Sequence, residues 1–156
     1  MDITILQGLK KIKHLDRKID KNYKRIQRWC SHLDNEEPLY DVEKLIQSVN
    51  DMTEEKDKLR HALHKTNIQT TIEFNGVMMS IDSLIILSTL TISAKINVLK
   101  SLRRREKQYG ENEKDLKVIM NYDPKVRDKK IDALENFKDQ AEELLDTVNI
   151  TTKLIL

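Results

Sequence analysis

The chain has 156 residues, enough for one domain, with only three Gly, two Pro and 4% aromatics against 35% charged residues. That balance excludes a compact sandwich or barrel and points to long exposed helices. The net charge of +2 is small, the single Cys30 leaves no internal disulfide, and residues 1–14 lack the basic-then-apolar order of a signal peptide, so a cytoplasmic setting or the interior of an assembled particle is expected.

The first expected element is a helix from about Asp2 to Leu33. Ile5, Leu9, Ile12, Leu15, Ile19, Tyr23, Ile26, Cys30 and Leu33 recur at intervals of three and four, a seam on a helix roughly 50 Å long. Cys30 reads there as a small core residue. Asn35, Glu36, Glu37 and Pro38 end the helix. A second begins at Asp41 as N-cap and carries Val42, Leu45, Val49, Met52, Leu59 and Leu63 on its seam. The short connection makes residues 1–65 an antiparallel helical hairpin. Charge supports the pairing: residues 1–30 hold nine Lys/Arg against three Asp/Glu, net +6, and residues 31–60 hold four against nine, net −5. Each exposed pair is worth only ~0.2–1 kcal/mol. The same basic set, Lys10, Lys11, Lys13, Arg17, Lys18, Lys21, Lys24, Arg25 and Arg28, also reads as a nucleic-acid arm, a role that the small total charge ranks behind pairing. Trp29, Tyr23 and Tyr40 fall near the tip of this hairpin, as an anchor or a contact patch.

Residues 66–80 change period. Thr70 to Phe74 and Val77 to Met79 flank Asn75-Gly76, the strongest short-range hairpin signal. A two-stranded ribbon is marginal alone, and Leu116 to Met120 form the other strand-like run, expected to supply a third strand. Ser80 is placed to cap a helix over 81–110 that ends at Gly110. A loop or strand covers 111–122. Asp123 and Pro124 open a last helix over 123–156, with Leu134, Phe137, Ala141, Leu144, Val148 and Ile155 on its seam.

The segment Ile81 to Leu102 is apolar almost all round, whereas its neighbours are two-faced, so most of its perimeter must be covered. Between Asp82 and Lys95 it is shorter than the ~20 residues a bilayer requires, and it contains Ser83, Ser88, Thr89, Thr91 and Ser93. It reads as a buried helix, with no transmembrane span, and Leu84, Ile85, Ile86, Leu87, Leu90 and Ile92 are the expected oligomer interface.

From residue 60 onward the order of features resembles the small helical proteins of the septicolysin-like family. The resemblance rests on Thr66-Asn67 followed by Thr70 or Thr71, Gly76, and Ser80 opening a long helix through Lys95, Val98 and Leu99. At the end of the chain it rests on Leu145-Asp146-Thr147, Asn149, Thr151-Thr152 and Leu154. It implies a helical fold and, through the family name, a cytolysin. It brings no catalytic residues. The aliphatic run Leu84 to Leu87 departs from a family pattern that is more acidic and richer in Arg and Ala.

No constellation supports chemistry. Asp57, His61 and His64 share a helix face, but zinc needs further ligands and no other His or Cys pair stands at a suggestive spacing. No glycine-bearing elbow or phosphate loop is present, and Glu142 and Glu143 are adjacent rather than facing. Arg103, Arg104 and Arg105 suit the C-terminal end of a helix, with anion contact as their other role. Asn149-Ile150-Thr151 matches a glycosylation acceptor but is expected inside a helix.

The expected fold class is therefore mainly α: one domain, an elongated bundle of four long helices paired as two hairpins, with a small β-element. The expected function is a non-enzymatic structural or assembly protein, without cofactor or metal, acting through homo-oligomeric contacts and contributing to a larger particle such as a phage virion. The alternatives are a pore-forming cytolysin, the one case that involves a membrane, and, ranked last, a nucleic-acid-binding helical module.

Overall fold

A computed structural model of the protein describes residues 2–111 and 115–155. The fold is mainly helical with one small antiparallel sheet: α1 (Ile5–Trp29), α2 (Val42–Gln69), β1 (Thr71–Phe74), β2 (Val77–Ser80), α3 (Ile81–Ile86), a π-helical turn (Leu87–Ile92), α4 (Ser93–Lys100) and α5 (Pro124–Thr151). Two compact units divide the chain, Met1–Thr71 with Asp146–Leu156, and Ile72–Leu145.

In the first unit α1 and α2 run antiparallel, bridged by Lys11–Glu55 at 2.5 Å, Lys56–Asp16 at 3.0 Å and Asn22–Ser48 at 3.4 Å. Helix α1 starts three residues later than its apolar pattern suggests. Thr4 caps it in a reciprocal pair with Gln7, and the residues before Thr4 are used by the end of the chain instead. Ile5 N–H donates to Thr152 O and Leu154 N–H to Ile3 O, both at 2.9 Å, with a bridge between Thr4 and Lys153. The C-terminal helix expected over 123–156 accordingly stops at Thr151, and Ile155 lies in an extended tail rather than on the helix seam. Leu154 of that tail is buried against Gly8, whose added Cβ would lie 2.8 Å from Leu154 Cδ1. A larger residue at position 8 would therefore displace the tail.

Helix α1 also ends earlier than Leu33. Cys30 is exposed, not a core residue, and Leu33 and Leu39 are 65% and 67% exposed. The expected seam drifts off the buried face by its end, because the row that meets the core carries Ile5, Gly8 and Leu15, with Leu9 left in solvent. Asp41 caps α2 as expected, its carboxylate accepting from Lys44 N–H at 3.2 Å.

In the second unit, Asn75 and Gly76 take positive φ values of 49° and 77°, the geometry of the tight turn that Asn-Gly favours. Phe74 enters the core edge-on to Phe137, with centroids 5.0 Å apart. Phe74, Leu84 and Ala141 form one buried cluster, and Ile92, Ile96 and Ile131 form another. This is the partner surface that the marginal ribbon needs. The third strand expected at Leu116–Met120 does not form, and the sheet has two strands. The helix expected over 81–110 stops at Lys100. Beyond Leu102 come Arg103, Arg104, Arg105, Glu106 and Lys107, which offer no apolar side chain to bury, and helical stability comes mostly from such burial. Gly110, at φ 85°, turns an irregular segment instead of closing a helix. Asp123 and Pro124 open α5 as expected, with Lys125 N–H donating to Asp123 Oδ1 at 2.8 Å.

Candidate functional site

The continuous helix Ile81–Lys100 carries the most unusual pattern in the chain. Leu84, Ser88, Ile92 and Ile96 are all buried, at four-residue steps. Four residues of ordinary α-helix overshoot a full turn by about 40°, so three steps would rotate the last side chain about 120° from the first. The π-helical turn at Leu87–Ile92 absorbs that drift, since its wider turn holds one more residue. Ser88 is fully buried and donates to Ile85 O at 3.2 Å, Thr89 donates to Ile85 O at 2.7 Å, and Ser93 reaches back to Ser88 O at 3.4 Å. The hydroxyls expected to mark a soluble core thus bond to their own helix around the π turn.

The same correction straightens a second row. Ile86, Leu90, Ala94 and Val98 also stand at four-residue steps, two residues out of phase with the buried row and thus opposite to it. All are exposed, Ile86 by 47%, Leu90 by 65% and Val98 by 66%. Beside the row, Ala94, Lys95, Val98 and Leu99 with Lys130, Ala133 and Leu134 of α5 line a groove of about 630 Å³.

Of the residues expected at an oligomer interface, Leu84 and Ile92 are corrected: at 0% and 4% exposure they belong to the chain's own core. Leu87 is half-buried between the two core clusters, and Ile85 is half-buried. Ile86 and Leu90 face solvent, while Ala94 and Val98 were missed. Their signal was present in the strict four-residue repeat, which an α-helical count of three and four does not register.

The triple arginine is not at a helix end. Arg103, Arg104 and Arg105 are exposed in the irregular segment. Arg105 pairs with Glu111 at 2.6 Å, and Arg103 and Arg105 line a 620 Å³ hollow with Lys107, Lys117 and Tyr122. Arg127 of α5 fastens both ends of this segment, donating to Leu102 O at 3.1 Å and to Tyr122 Oη at 3.4 Å. Its hydrogen bond to Asp128 holds the guanidinium above its ordinary pKa.

On α1, Lys11 pairs with Glu55 and Lys24 with Asp20. At the hairpin tip Trp29 meets Tyr40 edge-on at 6.4 Å, with Arg25 4.7 Å above Tyr40 and Arg28 5.7 Å from Trp29. Asp57, His61 and His64 are exposed, and among the described residues no three His, Cys, Asp or Glu converge on a metal site. By length and composition Ile81–Lys100, at 20 residues, is long and apolar enough to cross a membrane; the expected shortfall arose from counting only Asp82 to Lys95.

These features define a mainly helical protein with a small antiparallel ribbon and a helix apolar on two opposite sides. The chain belongs to a family described as a family of unknown function (DUF6847), whose model matches residues 12–154. No curated protein matches it. Its fold is similar to that of a crystal structure described as a functionally unknown conserved protein from Corynebacterium diphtheriae, with a TM-score of 0.76 at 13% identity, covering 99% of this chain and 100% of that one. At that identity the likeness speaks for the fold alone.

Proposed function

We propose that the protein is a non-enzymatic assembly protein, a bundle of long helices paired as two hairpins, that works by self-association through the exposed row Ile86, Leu90, Ala94 and Val98. One observation carries this: the row lies on the helix face opposite the buried one, so the chain itself leaves apolar surface uncovered on its most apolar helix. Covering the exposed parts of Ile86, Leu90 and Val98 on each of two copies is worth roughly 7 kcal/mol at about 2 kcal/mol per fully buried side chain. Association costs about 4 kcal/mol or more, which leaves at most about 3 kcal/mol, so the assembly is concentration-dependent, with a dissociation constant in the millimolar range or weaker. A larger particle such as a virion would supply that concentration and further contacts.

Light scattering over about 0.02–2 mM is the test. A rise in mass with concentration, abolished by Leu90→Glu with Val98→Glu, is the expected result, and a monomer throughout would overturn the proposal. A second reading, pore formation of the kind the septicolysin-like resemblance implies, is favoured by the membrane-spanning length of Ile81–Lys100. Dye release from lipid vesicles in the same concentration range would favour it, and intact vesicles at the highest concentration would remove it.

A further inference from the structure

The outer face of α1 carries a cation at nearly every turn. Placed at 100° per residue, Lys10, Lys13, Arg17, Lys21, Lys24 and Arg28 fall within an arc of roughly 80°, over a length of roughly 27 Å. All six are exposed. The arc is centred opposite the side that carries the buried Ile5, Gly8 and Leu15, so it points away from α2. Asp20 is the carboxylate at its edge, and it is taken up by Lys24 at 2.8 Å. The interhelical pairs use Lys11 and Asp16, on the flanks. Among the described residues Lys10, Lys13, Arg17 and Lys21 have no ion pair.

Such a row has a cost within the chain. Arg17 with Lys21 and Lys24 with Arg28 are like charges four apart, each destabilising an isolated helix by about 0.2–0.5 kcal/mol. A local rule broken in one continuous line, offset only by Asp20 at Lys24 and by the Trp29 ring at Arg28, marks a functional surface. At its C-terminal end the stripe runs into the aromatic pair. Lys21, Lys24, Arg25, Arg28, Trp29 and Tyr40 line a hollow of about 390 Å³, with arginine groups over both rings.

We infer that this stripe and its aromatic end bind single-stranded nucleic acid, the phosphates following the cations along α1 and a base stacking at Trp29 and Tyr40. A linear run of charge ending in aromatic rings is the combination such strands require. An anionic membrane fits less well. The apolar side of α1 is occupied by α2 and cannot insert, and the adjoining loop carries Asp34, Glu36 and Glu37, which headgroups would repel. The small net charge of the whole chain, which argued against this role in the sequence, does not bear on it, because the field a strand meets is that of the stripe.

The test uses the intact chain and a fluorescein-labelled 20-nucleotide oligo(dT), followed by anisotropy. Single-strand affinity falls with a log–log salt slope of about −0.7 per phosphate neutralised, so six contacts give a slope near −4 and roughly a 300-fold loss between 50 and 200 mM salt. Arg17→Gln with Lys21→Gln is expected to weaken binding at least tenfold at 50 mM and to flatten the slope by about 1.4. Lys125→Gln with Lys129→Gln, in the other unit, changes neither. Trp29 is the sole tryptophan, so its emission in the unaltered protein reports stacking directly and is expected to be quenched. Circular dichroism confirms that the exposed substitutions leave the helices intact. No binding at 50 mM salt, or binding that the α1 variant leaves unchanged, overturns the inference. So does tighter binding to phosphatidylserine vesicles or to poly-glutamate than to oligo(dT).

Discussion

Thr66 offers the sharpest single-residue prediction. It is fully buried in α2, its hydroxyl donates to Ala62 O at 2.7 Å and accepts from Ile155 N–H at 2.8 Å. One oxygen thus ties the end of the chain to the middle of it. Thr66→Val keeps the shape and removes both bonds, leaving the Ile155 N–H without its acceptor. An unsatisfied buried donor costs about 1–3 kcal/mol. Ile155 is half-buried and recovers part of this from water, so a loss of about 1–2 kcal/mol is expected, or a Tm lower by roughly 3–6 °C for a chain of this size. Thermal and urea unfolding measure it, and Thr66→Ser, which keeps the hydroxyl, should lose less. Ile155→Pro removes the donor from the other side. If the bond is what matters, the two substitutions together cost clearly less than their sum. A Thr66→Val protein within about 0.5 kcal/mol of the parent, or strictly additive costs, would refute the reasoning.

Deleting Thr91 should be tolerated, because it turns the buried spacing of Leu84, Ser88, Ile92 and Ile96 from four-four-four to four-three-four, which ordinary α-helix satisfies within about 20°; a Tm within about 3 °C of the parent is expected, whereas deleting Lys95 rotates Ile96 out of the core and should cost far more. Leu84→Ala should lose about 2–5 kcal/mol in denaturant unfolding, as a large-to-small change at a fully buried site, while Leu90→Glu leaves stability nearly unchanged and alters only self-association. At acid pH, the Lys44 N–H holds the Asp41 carboxyl below its usual pKa, and Lys153 does the same for Asp2. Their stabilisation is therefore complete above the usual carboxylate value and is lost as pH falls through the lowered one, so Asp41→Asn should flatten the decline in Tm below about pH 4.

Local chemistry was legible where a residue acts on its immediate neighbours. Asp41, Ser80 and the Asp123-Pro124 pair begin their helices as their cap chemistry requires, and Asn75-Gly76 makes its turn. Buried seam positions such as Leu15, Leu59, Leu63, Ala141 and Val148 also follow from helical period. Helix ends were less legible. Cys30 and Leu33 continue an apolar count past the end of α1, and Leu116–Met120 has strand-like residues but pairs with neither β1 nor β2. At the candidate site, Ile86 and Leu90 were picked out for their apolarity, but so were Leu84 and Ile92, since composition does not say which side of an all-apolar helix faces its own chain.

What the sequence determined by itself was the set of interactions that span a few residues: caps, turns, helical period and the excess of apolar surface between Ile81 and Lys100. The tertiary structure decided what depends on a partner distant in sequence. It drew Thr152–Ile155 out of the last helix, because Ile3, Ile5 and Thr66 offer backbone and hydroxyl partners there. It opened a π turn, because the buried row Leu84, Ser88, Ile92 and Ile96 had to stay on one side of its helix. It also separated the cations of α1 into those that meet α2 and those that face outward, a division no count of charge along the chain can make.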